Sequence, residues 1–461
     1  VKALNLPLFC LVALCLTQYT RADELESRRW INDNLIPVES VDEPLSVAEQ
    51  RILDKALVGK RIVFLGEAAH WVHQKYDYRL RFLKYLAGKG FNHIGMEMGL
   101  SDGARIDRFL ASGKAADLKK VVLYGYRGPT IRTRQRIHDC HENTKPYPGF
   151  GTLFVEEETW FYTQLQKLSE EALSPRERIH HFGYDVDTVT GGAYEDIDAS
   201  LKDYRSFKKV AELINRIAPV ANEAIYQEIS RLENVLADIE SGNIPLQNII
   251  GKERQLKIKL SLKTLIQSLR FELVYLEKPC DEKGMSIWTS RLLQAMAERE
   301  QMMFTILRNK LAEIGPYGKI VLMGHNFHLS KNPKDLWFAS SRIPEPHAPT
   351  MWPSVGEFVN GIFFNYVYSI WMIHNRGFQS TPDCRSQQCP VDIGPKSLGT
   401  HLSSAGQIYS LPLSDPSEYG MRYLNQRLDF AVNAGTYSGN VAKNADLIFF
   451  VDEVSGLKKR P

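Results

Sequence analysis

The stretch Arg61-Ile-Val-Phe-Leu-Gly-Glu-Ala-Ala-His70 constrains this chain more than any other. Arg61 to Leu65 is a short, mostly apolar run, the pattern of a buried strand. Gly66 interrupts it, and Glu67 and His70 follow where the chain should leave the sheet. In open α/β sheets, ligands collect in the crevice beyond the carboxyl ends of the strands. A carboxylate and an imidazole at that point form a candidate acid/base pair. Three later stretches repeat the arrangement: Asn92-His-Ile-Gly-Met-Glu97, His180-His-Phe-Gly-Tyr-Asp185 and Lys319-Ile-Val-Leu-Met-Gly-His325, the last followed by His328. If these strands are neighbours, Glu67, His70, Glu97, His325 and His328 gather at one edge of one sheet.

Each residue taken alone has a plainer reading. A carboxylate at a strand end often caps the next helix or pairs on the surface. Asp185 can bond a loop backbone, and His73, His93 and His180 read as structural. Recurrence at one kind of topological position is what favours a site.

Taken in order, a helix over Val47–Leu57 precedes the first strand, and an amphipathic helix over about Val72–Gly88 follows His70, with Leu80, Leu83 and Leu86 on or near one face. The next strand ends at Glu97, and a helix starts from Asp102, so the order strand–helix–strand implies a parallel, right-handed crossover. Residues 124–152, rich in Gly, Pro, Arg and His, read as a long loop; His138 and His141 there read as exposed. A helix over Glu156–Ala172 leads to the strand ending at Asp185. Residues 195–285 carry apolar positions at helical spacing only, with a break near Ser241–Pro245, and read as an all-helical insertion or lid. A helix over Ile287–Leu311 returns the chain to the sheet at Ile320. Gly361–Ile373 reads as a buried strand, Asp446–Val451 as the last strand, and Lys458-Lys-Arg460 as a solvated tail. The expected fold is α/β: a mostly parallel central sheet flanked by helices, its two parts at 23–194 and 286–461.

Residues 1–22 have the features of a secretory signal, with Lys2, an apolar Leu4–Leu16 and cleavage near Ala22; that core is too short to favour a membrane span. Without Lys2 and Arg21, 55 of the 57 basic residues remain against 54 acidic ones, which implies no general attraction to nucleic acid or acidic membranes. Removing Cys10 and Cys15 leaves Cys140, Cys280, Cys384 and Cys389, an even set that suits an oxidising compartment, with a local staple expected between Cys384 and Cys389. A secreted or periplasmic location is the expectation. The sequence contains no G-x-S-x-G elbow, H-E-x-x-H, P-loop or G-x-G-x-x-G.

Gly66-Glu67 with His70, Glu97 after a strand, and Gly324-His325-Asn-Phe-His328 resemble the erythromycin esterase family, with its early G-E-x-T-H, acidic strand end and later H-N-x-H. Arg299-Glu300-x-Met302-Met303 stands 26 residues before His325, like that family's R-D/E-x-x-M helix. Ser354-Val-Gly356, Ser397–Leu402 and Asp446–Asp452 are similar to its C-terminal portion. The resemblance runs from about 50 to 455. It implies a metal-independent hydrolase, without cofactor, in which His70 is the base beside Glu67, while Arg79, Glu97, His325 and His328 complete the pocket. Ala69 and Trp71 depart from the family pattern, and Trp71 beside the base reshapes the pocket. Asp185 and Arg299 join Arg79 and Trp71 as candidate substrate contacts. The partner is then a small-molecule ester or lactone. Two other readings use the same residues: a metal-dependent hydrolase holding zinc or another divalent ion with the His/Glu cluster, and an exported binding protein without turnover.

Overall fold

The computed structural model describes residues 24–119, 121, 150–172, 174, 177–187, 192–220, 223–276, 289–338, 350–380, 389–392, 394, 397–413, 421–432 and 435–460. The expected leader, the loop with His138, Cys140 and His141, and also Cys280 and Cys384, lie outside these. Cys389 is disulfide-bonded.

Twelve strands are described: β1 (Ile36–Pro37), β2 (Ile62–Glu67), β3 (His93–Gly99), β4 (His180–Asp185), β5 (Ile320–His325), β6 (Leu336–Phe338), β7 (Val367–Gln379), β8 (Cys389–Asp392), β9 (Ile408–Pro412), β10 (Leu428–Val432), β11 (Gly435–Gly439) and β12 (Leu447–Val454). Nine of them form one sheet in the order β1-β9-β12-β7-β2-β5-β3-β4, with β8 on β7; β10-β11-β6 form a second, antiparallel sheet. The run β12-β7-β2-β5-β3-β4 is parallel throughout, and β1, β8 and β9 are antiparallel additions. The fold is therefore α/β with a mostly parallel sheet, as its strand pattern predicts.

Both faces of the sheet are covered, which is why its strands read as continuous apolar runs. Val63, Leu65, Met96 and Met323 pack into one core with the helices Gln74–Gly88, Leu100–Ser112 and Phe150–Glu170. Ile62, Phe64, Ile320 and Leu322 face a second core that includes Met303, Ile306 and Leu307 of the helix Ser290–Ile314. Residues 192–276 contain only helices among the described residues, and these bury a core of their own around Val210, Leu232, Leu262 and Leu269. Among the described residues no helix is long and apolar enough to cross a membrane.

Three expectations differ from the structure. The helix Gln74–Gly88 is not half-exposed: Lys75 to Leu83 are all buried. Its buried charged residues disguise this, because each has a partner of opposite charge: Lys75 and Arg79 with Glu67, Asp77 with Arg460, Arg81 with Glu49. The strand expected from Gly361 begins at Val367. The preceding residues form the helix Val355–Phe363, started by Ser354, whose hydroxyl accepts the Glu357 N–H at 3.0 Å. The end of the 458–460 run is docked, with the Arg460 guanidinium bonded to Glu157 and Asp77.

Candidate active site

The sheet order makes β2, β5, β3 and β4 consecutive, so the four strand-end stretches are neighbours. Glu67 is in register with His325. Glu97 follows on β3, and Asp185 ends β4. Gly324 allows the close approach: a Cβ there would stand 2.5 Å from the Tyr184 hydroxyl and 3.1 Å from Glu97 Oε2.

Two hydrogen-bonded groups result. In the first, Glu67 is buried with Oε1 2.8 Å from His70 Nδ1 and Oε2 2.5 Å from Arg79 Nη2, the latter an ion pair without hydrogen-bond alignment. Lys75 Nζ lies 3.9 Å from Glu67 and donates to the His70 carbonyl. Burial alone would raise the Glu67 pKa, but Arg79, then Lys75 and His70, outweigh it and hold it at about 2. Glu67 is therefore ionised and accepts the proton on His70 Nδ1. The ring retains 19% side-chain exposure. Trp71 packs edge-on against that ring at 5.5 Å between centroids, and His325 lies at 4.9 Å. Arg79 itself is fully enclosed, so it reaches the site through Glu67 rather than by touching a ligand.

In the second group, His328 stands between two buried carboxylates. Its Nδ1 bonds Glu300 Oε1, and its Nε2 lies 3.0 Å from Glu97 Oε1. Burial disfavours its charged form, yet Glu300 and Glu97 outweigh this and raise it to about 10, so His328 is an imidazolium. Glu97 is held well below the usual carboxylate range against burial, chiefly by His328. Glu97 Oε2 also accepts the His325 backbone N–H at 2.7 Å. Glu300 accepts the Trp352 indole N–H at 3.1 Å and the Val355 N–H at 2.7 Å. Arg299 donates Nε to Asp185 Oδ1 at 2.9 Å and Nη2 to Oδ2, while the same Nη2 lies 3.5 Å from Glu97 Oε1. Its guanidinium sits over the Phe271 ring at 5.5 Å, on the last helix of the insertion. His325 is neutral, its pKa lowered to about 3 by burial and then by His70. Its Nδ1 accepts the Phe327 N–H at 3.3 Å, which assigns the proton to Nε2, facing the Ala68 carbonyl at 3.2 Å.

All nine residues singled out from the sequence therefore meet at or directly beneath one sheet edge. Glu300 and Lys75 complete the network and were not singled out. Glu300 had a signal, because it adjoins Arg299 in the quoted helix motif; Lys75 had none beyond its place in the helix after His70.

No protein-family model matches this chain, and no curated relative matches it. Three solved structures do. A protein of Bacillus cereus is 17% identical with a TM-score of 0.64, covering 95% of this chain and 99% of its own. A succinoglycan biosynthesis protein is 13% identical at 0.62, with the same coverages. A histidine-to-asparagine variant of the erythromycin esterase EreC, in its open conformation, is 17% identical at 0.61, covering 91% of this chain and 97% of its own. Over nearly its whole length, this chain is thus similar in fold to these three proteins, a distant structural relationship.

Proposed function

We propose that this protein is an exported hydrolase that cleaves an ester or lactone of a small organic molecule, with His70 activating water without a metal. The observation that carries the reading is the series Arg79–Glu67–His70 at the carboxyl edge of the sheet, its first two members buried. An ionised Glu67 on Nδ1 orients the ring, and Nε2 is the base in this reading. Nε2 takes a proton from water as the water oxygen attacks the acyl carbon. The same proton then passes to the departing alkoxide, so ester and water become acid and alcohol. The charge that develops on the carbonyl oxygen calls for a preorganised donor. Both N–H groups of His328 are committed to carboxylates, and Arg79 is enclosed. Arg299 keeps Nη1 uncommitted among the described residues and is the donor in this reading. Fold likeness to an erythromycin esterase agrees with the assignment.

The donor set favours this reading over the metal-dependent one. Both ring nitrogens of His325 and of His328 are engaged. Among the described residues no group of three or more His, Cys, Asp or Glu side chains converges as metal ligands do. The test is a panel of small chromogenic esters and macrolactones, assayed with chelator present, using the wild type and His70→Ala. Hydrolysis by the wild type that the variant lacks is the expected outcome. Activity that chelator abolishes and divalent ions restore would replace this reading with the metal-dependent one. Tight binding of a panel member without turnover would favour a binding protein.

A further inference from the structure

We propose that the segment Ser455–Arg460 is a strap that positions the turn carrying His70, with Arg460 as its anchor; the inference rests on His70 being the base. After β12 the chain runs back along Trp71–Gln74 instead of leaving the molecule. His73 donates its N–H to the Ser455 carbonyl at 2.9 Å, and Val72 pairs with Gly456 in an antiparallel bridge. Ser455 donates its N–H to Gln74 Oε1 at 2.9 Å, while Gln74 Nε2 donates to the Ser455 hydroxyl at 3.1 Å. Leu457 is buried in the core beneath, and its N–H bonds the Ser380 hydroxyl at 3.0 Å. Ser380 in turn donates its backbone N–H to the Trp71 carbonyl at 3.0 Å. Trp71, Val72, His73 and Gln74 are thus all tied, directly or through Ser380, to this segment.

Charge secures the far end. Arg460 donates Nε to Glu157 Oε2 and Nη1 to Asp77 Oδ1 at 3.0 Å, and its guanidinium lies 3.7 Å from the centre of the Trp160 ring. Glu157 Oε1 accepts the Lys458 N–H at 3.0 Å and lies 2.6 Å from His73 Nδ1. One buried carboxylate therefore joins the strap to an imidazole three residues beyond the base. His70 is thus held by Glu67 through its ring and, along the chain, by the Trp71–Gln74 segment that the strap secures. A fixed direction for Nε2 matters because a displacement of about 1 Å can cost on the order of 100-fold in rate.

A staple that only stabilised the fold would lower the melting temperature and leave the folded enzyme's turnover alone. The two roles separate in full-length Arg460→Ala and Arg460→Lys, assayed on the best ester of the panel well below the unfolding temperature. The proposal expects kcat to fall about tenfold or more in Arg460→Ala with KM nearly unchanged. Arg460→Lys should recover part of it, since an ammonium restores the charge but not the planar fork. Gln74→Ala, which removes only the Ser455 contacts, should lower kcat in the same sense and serves if Arg460→Ala does not fold. Unchanged kcat in folded variants that melt earlier would overturn the strap and leave the base assignment intact. If the wild type hydrolyses nothing, amide exchange decides: the His73 N–H should exchange faster in Arg460→Ala, and unaltered exchange would overturn the proposal.

Discussion

Glu300→Gln should uncouple His328 from its stronger partner. Lifting an imidazole from its ordinary 6.5 to about 10 against the cost of burial corresponds to roughly 5 kcal/mol, at about 1.4 kcal/mol per pH unit. Glu300 supplies the larger part and Glu97 the rest. Because the folded value lies above the unfolded one, this stability is complete below about pH 6.5, erodes as pH rises, and is gone above about pH 10. Gln keeps the shape but has one acceptor oxygen for the three donors that Glu300 serves: His328, Trp352 and Val355. The variant should therefore lose about 3 kcal/mol near pH 6, with a smaller deficit at pH 10. Urea unfolding at pH 6, 8 and 10 gives the deficit, and NMR titration of the His328 ring gives its protonation directly. A wild-type His328 titrating near 6.5, or a deficit under about 1 kcal/mol at every pH, would refute the reasoning.

Two further perturbations test the other parts of the network. Arg79→Met leaves Glu67 buried without its nearest cation and should cost about 3–5 kcal/mol. Glu67 is held below its unfolded value, so its contribution is present above about pH 4.5 and lost as pH falls through about 2. The acid-unfolding midpoint, followed by circular dichroism, should move upward in the variant, and an unmoved midpoint would contradict the pairing. Gly66→Ala would drive a methyl onto the Asn326 side chain and within 3.0 Å of Trp371 Cδ1. A loss of about 1–3 kcal/mol is expected in thermal unfolding, and a neutral result would mean that the β2 end yields more readily than its packing implies.

Much of the fold was legible because short apolar runs ending in Gly or a carboxylate are what a doubly covered parallel sheet requires. Their adjacency was not legible: β5 inserts between β2 and β3, although it follows β4 by more than 130 residues. Glu67, His70, Glu97, His325 and His328 were visible because each sits at or just past a strand end. Glu300 was hidden within a helix, and its role depends on His328, which only the packed sheet brings to it. The strap was hidden for a related reason. A Lys-Lys-Arg run suggests solvent, and the carboxylates that hold Arg460, Glu157 and Asp77, lie 303 and 383 residues earlier in the chain. Ser354 with Glu357 was a readable helix start, and it accounts for the strand beginning at Val367 rather than Gly361.

The central claim is that His70 is the base, and the most direct measurement is kcat for His70→Ala on the best ester of the panel. Circular dichroism and the urea midpoint would verify that the fold is retained. Loss of a positioned general base should lower kcat by roughly 10²–10⁴-fold while the fold persists, because His70 is only partly buried. A folded variant with undiminished turnover would contradict the account and move the chemistry away from the Arg79–Glu67–His70 series.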